Sequence, residues 1–269
     1  MKKTLAMLVV LAASCFSKAL TAQQAPTGLS VQRDQPALDV LRQTIASAGG
    51  ANAIQAVRSI LATGTITYYT DTPLTGTVTV RCQGAEQYRM DATLQDGVRT
   101  LIADGGGEVL LDTNGAIRTV AGPDIVSKRS LVLPYTTLLA AIHNPTVSVV
   151  DLGEVTHDGL SVRDVRVQRI YAGKSDPQGL RSAATARDYL ISASSFQILA
   201  ILDTPTPSSV ASGSPIFTHE VQLSGYQAVG GALAASTFLE IVNGQQLSKV
   251  TLTDITPNAT FSDADFILQ

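Results

Sequence analysis

With 269 residues the chain has room for one large all-β domain or two small ones. A hydrophobic share of 45% and a charged share of only 15% exclude a disordered polyelectrolyte, and 19 Lys and Arg against 22 Asp and Glu exclude the basic footprint of a nucleic-acid binder. Aromatics supply 5% and Trp is absent, so Val, Leu, Ile and Ala must build the core.

Lys2 and Lys3 precede the apolar run Leu5–Ala13, and small or polar residues follow, the three-part layout of a secretory signal peptide. The run is too short to cross a bilayer as a helix. Cleavage near Ala22 makes residues 1–22 the signal and 23–33 a flexible segment before the folded domain 34–269. A second reading stays open: Leu11-Ala12-Ala13-Ser14-Cys15 is similar to a bacterial lipobox, which would make Cys15 a lipidated N-terminus. The expected location is periplasmic or secreted, with outer-membrane anchoring if Cys15 is acylated. Loss of residues 1–22 removes three Lys and no acid, leaving 16 basic against 22 acidic residues, or −6. It also leaves one cysteine, Cys82, which can form no internal disulfide and reads as a small core residue.

Asp34–Ser47 carries Leu38, Leu41 and Ile45 at spacings of three and four, with Asp34 as N-cap, Pro36 in the first turn and Gly49-Gly50 as the stop. This amphipathic helix and the short turn Ala51–Val57 should lie across a sheet. Between Ala62 and Val120 the pattern changes to period two, and five strands are predicted. Thr63–Thr70 puts Ile66 and Tyr68 on one face. Gly76–Cys82 does the same with Val78, Val80 and Cys82 against Thr77, Thr79 and Arg81. Glu86–Leu94 aligns Tyr88, Met90, Ala92 and Leu94. Asp96-Gly97 and Asn114-Gly115 accept the positive φ of hairpin turns, so the region reads as an antiparallel meander.

Gly122–Ser130 reads as a loop whose basic pair, Lys128-Arg129, is solvated. Pro134 opens a short helix, Tyr135–Ile142, with Leu138, Leu139 and Ile142 on one side and Asn144-Pro145 at its end. Further strands follow at Thr146–Leu152, Ser161–Tyr171, Arg187–Ser192, Phe196–Asp203, Phe217–Ala228, Thr237–Val242 and Ser248–Ile255. Asp158-Gly159 and Asn243-Gly244 mark two more hairpins, and Asp203–Pro215 is a Pro- and Ser-rich connection. Phe196–Asp203 is apolar on both faces, so something must cover its outer side.

Reactive constellations are scarce. Ala172-Gly173-Lys174-Ser175 lacks the glycine spacing and following helix of a phosphate loop, and Gly105-Gly106-Gly107 opens no helix. His143, His157 and His219 stand apart from one another and from any second ligand at zinc spacing. Asp263 and Asp265 make a poor cation site, and Ser262 reads instead as the cap of a turn presenting Phe266. No nucleophile elbow occurs. Neither an enzyme nor a cofactor or metal protein is therefore expected.

The order of elements resembles the LolA/LolB type of periplasmic lipoprotein carrier from about Leu38 to Leu268. Val80-Arg81 before Tyr88-Arg89 is similar to that family's strand pair, in which a basic residue is followed by an aromatic one. Ile102-Ala103-Asp104-Gly105 followed by Val109-Leu110-Leu111-Asp112 is similar to its acidic turn and apolar strand. The helix at Pro134–Ile142 and a final strand at Phe261–Leu268 fall where the family has them. The resemblance implies a mainly β fold: a single, unclosed and strongly curved antiparallel sheet of about eleven strands, with helices as a lid over an acyl-chain cavity. It makes Ile66, Tyr68, Val78, Val80, Tyr88, Met90, Leu94, Leu138 and Leu139 candidates to line that cavity, and gives Arg81 the place of a basic residue linked with lipoprotein release. Three readings stay open: a carrier or acceptor for lipid or lipoprotein acyl chains, an envelope sensor or scaffold binding a membrane-associated protein partner, and a hydrolase with an unrecognised site. The inward side chains could equally fill a solid core.

Overall fold

The structure, a computed structural model, describes residues 30–84, 87–104, 108–120, 132–171, 173–177, 179–203 and 218–267. The signal segment with Cys15, the triple glycine, the loop holding Lys128-Arg129 and most of the Asp203–Pro215 connection lie outside the described residues.

Helix α1 spans Gln35–Ser47 and turns Leu38, Leu41 and Ile45 inward, as their spacing predicts. Asp34 occupies the N-cap position, yet its carboxylate accepts the backbone N–H of Asp151 at 3.1 Å instead of a helix donor. Gly49, with φ of 102°, lets the chain restart at once as α2, Gly50–Ala56. A Cβ on Gly49 would stand 2.2 Å from the carbonyl oxygen of Gly231, so the residue also permits a close backbone approach. Helix α3 is Pro134–His143 and packs beside α1. A single turn, α4, covers Leu180–Ala183.

The first strands are β1 (Ser59–Tyr68), β2 (Leu74–Gln83), β3 (Gln87–Leu94), β4 (Gly97–Asp104), β5 (Glu108–Leu111) and β6 (Ile117–Val120). After α3 come β7 (Val147–His157), β8 (Leu160–Arg169), β9 (Arg187–Ser192), β10 (Ile198–Asp203) and β11 (His219–Ser224). The chain ends with β12 (Gln227–Val229), β13 (Ala232–Ala234), β14 (Thr237–Val242) and β15 (Gln245–Pro257). Thirteen of them form one sheet in the order β6-β5-β4-β3-β2-β1-β15-β14-β11-β10-β9-β8-β7. The ladders between these strands are antiparallel, and the two ends of the sheet do not meet. The chain thus walks outward from β1 to one edge, passes through α3 to the far edge, and meanders back until β15 pairs with β1.

Among the described residues the sheet has thirteen strands where about eleven are predicted, and the first meander holds six strands instead of five. The run expected as one strand over Phe217–Ala228 breaks at Gly225, whose φ is 64°, and β12 pairs with β13 as a separate ribbon. The turns at Asp158-Gly159 and Asn243-Gly244 hold both residues at positive φ, between 48° and 78°, as two-residue hairpins require. The strand expected at Phe261–Leu268 is replaced by a tight helical turn, Asp263–Phe266. Ser262 and Asp265 cap each other there, the Asp265 carboxylate accepting the Ser262 N–H at 2.8 Å, and this reciprocal cap bends the chain. The bend packs Phe266 against β3 and β4, leaving it 1% exposed.

One hydrophobic cluster joins α1 and α3 to the inner face of the sheet through Leu41, Ile45, Tyr135, Leu138, Ile66 and Ile191. A smaller one, Val162, Leu190 and Ala200, lies apart from it, in keeping with the two-sided apolar character of β10. The segment ahead of α1 is tied down as well. Val149 donates its N–H to the Gln32 carbonyl, and the Arg33 guanidinium donates to the carbonyls of Ile142, Val147, Asn144 and Ala141 at 2.7–3.2 Å.

Candidate functional site

Two cross-strand rows of apolar side chains meet on the inner face. Ala62 pairs with Val80, Val80 with Met90, Met90 with Leu101 and Leu101 with Leu110, a row running from β1 to β5. On the other side of β1, Ile66 pairs with Val250, Val250 with Phe238 and Phe238 with Leu223. Side chains from both rows bound a recess of about 550 Å³.

Of the residues predicted from sequence, Ile66, Tyr68, Val80, Tyr88 and Met90 line this recess. Val78, Leu94, Leu138 and Leu139 do not; they are 0–7% exposed and sit in the solid core. Arg81 points to the opposite face, where it binds Asp91 at 2.5 Å in a network that also takes Arg89 and Thr100. Arg89 extends this network to the carbonyls of Asp265 and Ile267, so Arg81 belongs to a group that fastens the C-terminal turn. Leu101, Leu110, Val221, Phe238, Val250 and Leu252 also line the recess and are absent from the sequence candidates. Those on β11, β14 and β15 become neighbours of β1 only through the long-range β1–β15 ladder.

One border of the recess is polar. Asp203 binds Arg187 at 2.5 Å and the Nδ1 of His219 at 2.7 Å, and the Nε2 of His219 lies 3.1 Å from Glu240. Ser248 donates to the second Glu240 oxygen at 2.8 Å. Burial alone would lower the His219 pKa, but its hydrogen bonds and charge pairing with Asp203 and Glu240 outweigh this and push it up to about 9. Past Ser248 and Tyr68, which face each other across β15 and β1, the Arg99 guanidinium lies 4.7 Å above the Tyr68 ring. Arg99 also binds Asp112 through two nitrogens at 3.0 and 3.1 Å, with Arg118 3.7 Å from the same carboxyl group.

A second opening of about 810 Å³ lies at the other end of β1, between α2, α3 and the end of β2. It shares Val132 with the recess and includes the half-buried Cys82, whose thiol is pushed up to about 12 by burial.

No protein-family model and no curated protein matches the sequence. Solved structures do share the architecture. A DUF1329 family protein from Desulfovibrio piger superposes with a TM-score of 0.54 at 9% identity, covering 88% of this chain and 98% of that one. A LolA superfamily protein from Nitrosomonas europaea gives 0.51 at 10% identity, over 85% of this chain and 97% of that one. The likeness defines the class of fold as an open antiparallel sheet of the LolA type, carrying helices on its inner face. The architecture implied by the sequence resemblance is the one observed.

Proposed function

We propose that the chain is an exported, non-catalytic carrier or acceptor that holds acyl chains of lipids or lipoproteins in the recess on the inner face of its sheet. The observation that carries this reading is an apolar recess of about 550 Å³ between two rows of side chains on an unclosed sheet. That volume lies within the roughly 300–1,000 Å³ of small-ligand sites. A sixteen-carbon chain buried there would contribute about 12 kcal/mol gross, at roughly 0.8 kcal/mol per methylene. Association and ordering costs reduce this considerably, which suits reversible carriage. The fold shared with a LolA superfamily protein supports the reading, as does His219, whose pairing with two carboxylates keeps it protonated and unfit as a general base. Export rests on the Lys2-Lys3 and Leu5–Ala13 layout, and the intact mass of the mature N-terminus separates cleavage near Ala22 from acylation at Cys15.

The direct test is uptake of a fluorescent fatty-acyl probe, with native mass spectrometry of protein purified from membranes. Met90 lines the recess at a half-buried position, so Met90→Glu should fold and lose uptake. Undiminished uptake by the folded variant would remove this recess as the site.

A further inference from the structure

The charged border of the recess carries information about the other end of the ligand, and the inference drawn from it rests on the acyl-binding reading above. Among the described residues lining the recess, five are charged: Arg99, Arg118 and His219 against Asp112 and Glu240. With His219 protonated between its two carboxylates, three cations face two anions. The border is therefore net positive on a polypeptide whose formal charge is −3. Asp203, the remaining acid beside His219, is balanced from behind by the buried Arg187.

The cations differ in how they are held. Arg99 is fixed by its paired hydrogen bonds to Asp112 and by the Tyr68 ring beneath it. Arg118 is 67% exposed and approaches only the second Asp112 oxygen, to 3.7 Å, while Arg99 and the N–H of Thr113 both use the first. Its planar guanidinium keeps donors to offer beside an apolar floor, the arrangement that suits a carboxylate or phosphate at the end of a hydrocarbon.

We infer that the recess takes single-chain amphiphiles with an anionic head, carboxylate or phosphate, the tail lying on the apolar floor and the head meeting Arg118 beside Arg99. A neutral head forgoes this contact, and a cationic head is repelled.

The test is calorimetric titration of the full mature chain with four sixteen-carbon probes below their micelle concentrations: palmitate, palmitoyl lysophosphatidate, monopalmitoylglycerol and hexadecyltrimethylammonium. At least one anionic probe should bind about tenfold tighter than the glycerol ester. That preference should shrink as salt is raised. Preference for palmitate alone assigns a carboxylate, preference for lysophosphatidate alone a phosphate, and preference for both assigns the shared anionic chemistry. Arg118→Glu should bring the anionic-to-neutral affinity ratio to one or below, and Arg118→Lys should retain part of it. Equal affinity for all four probes, or a ratio unmoved by Arg118→Glu, would overturn the head assignment while leaving the acyl reading in place. Failure of every probe to bind would overturn both.

Discussion

His219 is the residue whose surroundings depart furthest from what its place in the chain suggests. Asp203 and Glu240 stand 16 and 21 positions away and become its neighbours only because β10, β11 and β14 are adjacent in the sheet. Read along the sequence it is one of three scattered histidines, and no local spacing reveals the polar border it belongs to. The pairing has a thermodynamic consequence. The folded pKa of about 9 stands above the ordinary 6.5, so the folded state binds the proton more tightly than the unfolded chain. Its stabilisation is complete below pH 6.5 and is lost as pH rises through about 9. The amount is on the order of 1–2 kcal/mol once discounted for the partial solvent access of the ring. Asp164, pushed up to about 6 by burial and the nearby Asp188, titrates below this window and leaves it clear. Urea midpoints of the native chain should fall between pH 6.5 and 9 relative to those of His219→Gln. Parallel curves for the two proteins would show that the ring carries no excess proton affinity.

At the scale of elements, what the sequence displays depends on how local the cause is. Strands β1, β2 and β3 follow from alternation, and the hairpin turns at Asp158-Gly159 and Asn243-Gly244 follow from pairs that accept positive φ, whereas at Asp96-Gly97 and Asn114-Gly115 only the glycine takes it. Val80 and Met90 line the recess, on the face that alternation gives them, whereas Leu138 and Leu139, cavity candidates through the helical lid that the resemblance implies, are consumed by packing in the core. The terminal turn presenting Phe266 follows from Ser262 as its cap, whereas the strand that the resemblance implies at Phe261–Leu268 gives way to the reciprocal cap of Ser262 and Asp265. Arg33 is the strongest instance. It belongs to the segment 23–33 expected to be flexible, yet its guanidinium bonds the carbonyls of Ala141 and Ile142 in the last turn of α3, which a helix end leaves without helical partners, and those of Asn144 just past it and Val147 at the start of β7. Arg33→Met keeps most of the stem and removes the donors. It should cost about 2–3 kcal/mol, as loss of charge-assisted hydrogen bonds to part-buried acceptors does. Amide exchange should accelerate in α3 before it does in β14 and β15. Equal acceleration in all three would mean that Arg33 supports the fold generally and has no special hold on this helix.

For the molecule as a whole, the decisive feature is the seam where β1 meets β15, since it joins the outward meander to the returning one and runs through the middle of the recess floor. The ladder shifts register between Thr63 and Gly64, and a Cβ at Gly64 would lie 2.0 Å from the carbonyl oxygen of Thr251 and 2.7 Å from the Cα of Leu252. Those atoms are backbone, so no rotamer change can make room. Gly64→Ala must open the seam or shift the ladder, at about 1–3 kcal/mol by analogy with overpacked cores. Because one hydrophobic cluster spans both meanders and the helices above them, unfolding followed by far-ultraviolet and by tyrosine signals should remain one transition at a lower denaturant midpoint. Two separated transitions would mean that the meanders are independent units joined only at β1 and β15. The same variant tests the recess from a distance, because Ile66 and Val250 pair across the seam two residues beyond the altered position. If the floor must hold its curvature to accept a hydrocarbon tail, acyl-probe affinity will drop in molecules that remain folded. If those side chains serve only as core, the variant will lose stability with no change in uptake.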